Sequence, residues 1–305
     1  IELRGGCLLK VIRDSKVRIK SKKNNIESDT LGITMELEKS LSIGDQLEKE
    51  RKKLKARKKK QIKSLLIKTI LIAIILVFTM FLFHINKTYK LKAYTQNLIK
   101  SDLEINIIYD KDDNLVLRPY NTSKKESIII YPSSGIEPKG YIGLGRKLAA
   151  RGYKVVIAKI PMNYPFFSFD KANKIISANS KDEKWYLVSH NTSGEVAAKA
   201  AAGNKKIVGV VFMGTYPLND ELKLINEPVL TIWGTNDGVL DFSKFSTYKS
   251  NLPASAEFME IVGGNNTNFA DVNLITGDRE ARTGTSIQQD MSAKRIDRFI
   301  TRTSR

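Results

Sequence analysis

The sequence predicts an α/β fold: a doubly wound, mostly parallel sheet with an antiparallel hairpin at its start, preceded by one transmembrane helix. Three observations carry that reading. From about residue 105 onward, apolar strand-like runs alternate with helical patterns, as βα units do. The first two runs are joined by a turn-forming stretch instead of a helix. Upstream, a long uncharged apolar stretch begins a few residues after a block of nine cations.

The chain has 305 residues and is 42% hydrophobic, enough to bury a sizeable core. Its net charge of +19 suggests a nucleic-acid partner at first sight, but the surplus is uneven. Residues 1–63 hold 19 Lys/Arg against 9 Asp/Glu and contain no Phe, Tyr or Trp on which bases could stack. A nucleic-acid role is therefore not expected. The first 34 residues show no sustained period and end just before Met35, so translation starting at Met35 is one expectation for this end. From Leu37 a charged helix is predicted, interrupted at Gly44; Leu47 and Leu54, seven apart, do not suffice for a coiled coil.

Nine Lys/Arg lie between Arg51 and Lys63, with no acid among them. Residues 69–85, "TILIAIILVFTMFLFHI", then carry no Asp, Glu, Lys or Arg, and "SLLIK" (64–68) extends the run with a lysine that can snorkel to headgroups. About 20 residues cross a hydrocarbon core of roughly 30 Å. A buried core helix would be the alternative, but core helices seldom abut nine cations. Beyond the span stand Lys87, Lys90, Lys92 and Lys100. The cation bias places the N-terminus in the cytoplasm and the remainder outside, in a single-pass cell-membrane protein. No small-residue cleavage site follows the apolar core, which favours an anchor over a removed signal. The polybasic segment is also suited to anionic lipid. The expected organisation is a basic cytoplasmic segment over 1–63, a transmembrane helix over 64–86, a linker over 87–104 and an external domain over 105–305.

Within that domain the first strand pair, "EINIIYD" and "LVLRPY", is joined near "DKDDN". The next strands, at 127–132, 154–161, 185–190, 207–214, 228–234 and 256–263, include continuous apolar runs, as parallel strands buried on both faces do. Helical patterns separate them: "GYIGLGRKLAARG", "DKANKIISA", "SGEVAAKAAAG", "DFSKFSTYKSNL" and the terminal "SIQQDMSAKRIDRFI". The only cysteine is Cys7, which leaves the external domain without disulfides or a thiol nucleophile. Only two histidines exist, His84 in the span and His190, so no metal site or other cofactor is expected. Calcium on Asp237, Asp241 and Asp271 would need a ligand spacing that the sequence does not show.

Five segments occur in a telling order: "YPSSGIEPKGY", "SHNTSG", "GTNDGVLD", "GGNNTNFAD" and "GDREARTGTSIQQD". Over about residues 125–300 the chain resembles the alpha/beta-hydrolase superfamily, in particular a compact, lid-poor bacterial branch related to dienelactone hydrolases. That resemblance implies a serine nucleophile on a tight strand-to-helix turn, followed by an acid and a histidine on later loops. Carried onto this chain, Ser189, Asn191 and Ser193 stand where Gly, Ser and Gly are expected. Asp237 stands at the acid and Asn266 at the histidine. Ser133 and Ser134 replace a glycine pair that would shape one side of the oxyanion hole, and Thr192 follows the tip.

An amide is no substitute for an activated alkoxide, and Asn266 cannot take a proton near neutral pH. A triad stripped of its members keeps roughly 10³- to 10⁴-fold over water from the oxyanion hole and binding alone. Ser193 lies inside the first helical turn and is expected to point away from Asn191. His190 suits packing or hydrogen bonding more than base catalysis. Asp237 is expected to cap its turn or bond to Asn266, and Asp241 to cap the following helix. Only about 13 residues separate "IVGVVFMG" from "PVLTIWG", so no lid is expected over the site. Tyr164, Phe166, Phe167 and Phe169 fall in a loop on the ligand side of such sheets; they serve either as packing or as a contact surface. The expected function is a membrane-anchored pseudoenzyme that binds a small ligand, a wall polymer or a protein at the former active site. The alternative is an active hydrolase of small carboxylic esters or related acyl substrates.

Overall fold

The computed structural model describes residues 26–85, 88–121, 124–179 and 183–304. Cys7 and most of the segment before Met35 lie outside those residues. The chain divides after Val77 into two units, each described by itself. Helix α1, Ile26–Ile85, runs unbroken through Gly44, which was expected to interrupt it. One glycine costs a helix only about 1 kcal/mol, and the surrounding Lys, Glu and Leu are strong helix formers, with Glu48 and Lys52 paired at 2.8 Å one turn apart. The helix contains a stretch long and apolar enough to cross a membrane, with a mean hydropathy of 2.8. Its Ile70, Ile74 and Phe78 are exposed, so none of the described residues shelters their apolar surface from water.

The second unit holds a sheet of eight strands: β1 (Ile105–Tyr109), β2 (Leu115–Pro119), β3 (Glu126–Tyr131), β4 (Lys154–Ile157), β5 (Lys184–His190), β6 (Ile207–Met213), β7 (Val229–Gly234) and β8 (Glu257–Ile261), in the order 1-2-4-3-5-6-7-8. β1 and β2 form the antiparallel hairpin, β2 pairs antiparallel with β4, and every later pairing is parallel. Asp110 closes the hairpin by accepting from the backbone N–H groups of Asp112 and Asn114, a side-chain-stabilised turn.

The strand period of two divides the core between the faces. Ile128, Ile130, Val188, Val211 and Ile232 face α3 (Ile142–Ala149) and α8 (Thr285–Thr303). Ile129, Tyr131, Leu187, Val210 and Phe212 face α4 (Lys171–Ser177), α5 (Gly194–Ala202) and the short α6 (Glu221–Leu224). Each such buried aliphatic side chain contributes about 1.5–3 kcal/mol. The alanines of α5 bring that helix close to the sheet, and a Cβ at Gly194 would meet Thr215 Oγ1 at 2.5 Å. Helix α7 (Phe245–Lys249) is shorter than its sequence pattern suggested, and β4 ends four residues before the expected limit. After β4 the chain turns through Met162 and Asn163, both left-handed, which no strand accommodates.

The segment expected to be a linker, 87–104, carries structure where it is described. Tyr89 and Lys92 donate backbone hydrogen bonds to Gly135 and Asp271. The short helix α2 (Thr95–Leu98) follows, with Thr95 buried and Leu91, Leu98 and Ile99 packed on the core. Leu91, Leu98 and Ile99 have apolar surface to bury, which a solvated linker would leave in water.

Candidate functional site

The C-terminal ends of β5, β7 and β8 bring the singled-out residues to one end of the sheet. β5 ends at His190, and Asn191 takes a φ of 49° in the turn that leads into α5. Asparagine tolerates this left-handed geometry better than most residues, but it still costs energy that the surrounding structure must hold. Ser193 locks the turn: its buried hydroxyl accepts from the His190 N–H at 2.9 Å and lies 3.0 Å from the Tyr131 carbonyl. Ser189 is buried too, donating to the Val211 carbonyl of β6. Both flanking serines are therefore committed to the backbone.

Asp237, on the loop after β7, accepts at one oxygen from the N–H groups of Val239 and Leu240, each at 2.8 Å. Its other oxygen accepts from Asn266 Nδ2 at 2.8 Å. That amide nitrogen also donates to the Gly214 carbonyl at 3.1 Å. Gly214 has a φ of +56°, and a Cβ there would sit 2.3 Å from Asn266 Nδ2, so only glycine fits. With Nδ2 committed to two acceptors, Asn266 Oδ1 faces His190 Nε2 at 2.9 Å, and its own carbonyl lies 3.0 Å from the same nitrogen. Two acceptors at Nε2 fix the imidazole proton there. Nδ1 is then the acceptor for the Tyr141 hydroxyl at 2.8 Å, and Tyr141 accepts from the Ser133 N–H at 2.8 Å.

A continuous hydrogen-bonded line thus runs from Ser133 through Tyr141, His190 and Asn266 to Asp237, and every side chain in it is buried. Burial holds the imidazole neutral by pushing its pKa down to about 4, against weaker opposing bonds from Asn266. Burial likewise pushes the Asp237 carboxyl up, partly offset by the three N–H groups it accepts. Asp278 staples the two loops together, accepting from Gly238 N–H with one oxygen and from the Thr267 N–H and hydroxyl with the other.

The residues matched to an oxyanion hole bond to one another. The Ser134 N–H donates to the Thr192 hydroxyl at 2.8 Å, Thr192 donates to Ser134 Oγ at 2.9 Å, and Ser133 Oγ lies 3.3 Å from the same hydroxyl. Among the described residues the half-buried Asn191 side chain has no hydrogen-bond partner, so its amide does not join Asp237 and Asn266. Asp241 caps the next turn through the Ser243 N–H, and Asp271 accepts from Gly143, Tyr94 and Gln289, so these acids and Asp237 serve three separate sets of donors. Beside the elbow, Phe166, Phe167 and Phe169 are 41%, 49% and 40% exposed and form a ring cluster with half-buried Tyr164. Tyr141, Gly214 and Asp278 escaped sequence reasoning, since only the folded chain brings them to this site.

A strand, a strained turn and a helix, with an acid after β7 and a polar residue after β8, make up the scaffold of a serine-hydrolase-type protein. Residues 127–290, more than half of the chain, match the alpha/beta hydrolase family, and the chain belongs to it. Among solved structures it is similar to a dienelactone hydrolase from Anabaena variabilis, with a TM-score of 0.51 and 13% identity over 66% of this chain and 99% of that one. It is also similar to the esterase domain of a Rhodothermus marinus protein, with a TM-score of 0.50 and 10% identity over the same shares. At such identities these likenesses speak for the fold alone. No curated protein matches the sequence.

Proposed function

We propose that this chain is a membrane-anchored, non-catalytic member of the alpha/beta hydrolase family, which binds a small polar ligand, a wall-polymer end or a protein at the mouth of the former active site. One observation carries the reading: Asn266 bridges Asp237 and His190 where a base would be needed, and both His190 nitrogens are already engaged. No proton acceptor is left for a nucleophile at position 191. The groups that reach the mouth are the Asn191 amide, the Thr192 and Ser134 hydroxyls and the exposed phenylalanines, which suit binding rather than bond cleavage. The nine cations before the apolar stretch of α1 support anchoring with the N-terminus in the cytoplasm, and contact of that segment with anionic lipid.

The test is hydrolysis of p-nitrophenyl acetate by the full chain in detergent micelles, beside the variant carrying Asn191→Ser and Asn266→His. The expected outcome is an inert parent and measurable turnover in the double variant. Saturable turnover with covalent labelling in the parent would overturn the proposal and identify an active hydrolase instead.

A further inference from the structure

At the end of the sheet opposite the elbow, a cavity of about 490 Å³ opens beneath the starts of β5, β6 and β7. Its size is that of a small-molecule site. Ala201, Ile207 and Ile225 contribute apolar wall, and α5 and α8 both end at it. One polar group inside stands out. Glu227 lines the cavity, and among the described residues no group donates to its carboxylate; Oε1 is closed off from solvent, which leaves Oε2 as the oxygen that a ligand can reach. A sheltered carboxylate oxygen without a donor is costly, and native structures rarely retain one without a use. Burial pushes this carboxyl up to about 7, in keeping with a group short of a partner. The two helix C-termini add partial negative charge, which favours a cation at the same place. Lys184 and Lys205 also line the cavity and are exposed, so its mouth attracts an anion while its interior attracts a cation.

We propose that this cavity binds a small zwitterionic amine, with its ammonium on the Glu227 carboxylate and its anionic group at Lys184 and Lys205. The site is independent of the elbow and does not rest on the reading given above for it. The probe is 6-aminohexanoate, titrated into the full chain in detergent micelles and followed through the amide NMR shifts of Ile207, Val208 and Thr303, with hexylamine and hexanoate as half-ligands. The expected result is saturable shifts with 6-aminohexanoate, weakened about tenfold or more by Glu227→Gln, as befits loss of a charge-assisted hydrogen bond. Lys184→Ala combined with Lys205→Ala should weaken 6-aminohexanoate and leave hexylamine unchanged. Glu227→Asp, which keeps the charge, should retain part of the affinity and guards against a merely unfolded Gln variant. No saturable shift below about 10 mM, equal affinity in Glu227→Gln, or tighter binding of hexanoate than of the zwitterion would each overturn the proposal.

Discussion

His190 is the residue on which the candidate site turns, because a buried imidazole with one acceptor and one donor position must stay neutral. Its pKa lies near 6.5 when unfolded and about 4 in the fold, so between those values the unfolded chain binds more protons. Its contribution is fully present above pH 6.5 and is lost as pH falls toward 4, by on the order of 3 kcal/mol. Urea unfolding followed by Trp fluorescence should therefore show a steeper fall in stability from pH 7 to pH 4.5 in the parent than in His190→Gln. The Glu227 carboxyl, pushed the other way, contributes a trend of opposite sign that both proteins share and that cancels in the comparison. Parallel profiles would show that the imidazole protonates without cost. At this scale the sequence was legible in part. The positions of Asn191, Asp237 and Asn266 follow from motif order along the chain. Tyr141, 49 residues before His190, and Asp278, 40 after Gly238, act through contacts that no local pattern encodes.

Among the elements, the parallel strands were the most legible, since burial on both faces writes itself as unbroken apolar runs. The stretch before β1 was the least legible: its Lys, Asn and Thr read as a solvated connection, while a few apolar residues hold it against the core. Helix α1 yields the prediction proper to an element. If its cation-rich half is cytoplasmic, a membrane-impermeant maleimide on intact cells should leave Cys7 unlabelled and should label Leu103→Cys in a Cys7→Ser background. Leu103, 97% exposed in the second unit, is open to reagent. Labelling of Cys7 with protection of position 103 would reverse the orientation.

The whole molecule keeps the frame of its family, with Asn191 and Asn266 at the two positions that the proposed reading assigns to a nucleophile and a base. Nothing in the core suffers for it: the largest buried side chains, Trp185, Tyr131, Tyr141 and Tyr153, are all fully enclosed. Fold is the more robust property, because it is distributed over dozens of apolar contacts, whereas hydrolysis depends on a few atoms. That difference is also why the sheet could be read from composition and period, and the state of the site only from its hydrogen bonds.

The Thr192 hydroxyl seated on the Ser134 N–H has a wider consequence. It is a tethered competitor: any carbonyl oxygen seeking that donor must displace a group that never diffuses away, so the entropy of association favours the resident. On the function proposed above, any background rate that an oxyanion hole at the Ser134 N–H would lend is therefore blocked from within. Opening it with Thr192→Gly should raise the turnover of the Asn191→Ser, Asn266→His variant on p-nitrophenyl acetate severalfold, and unchanged turnover would mean that the hydroxyl yields its place freely.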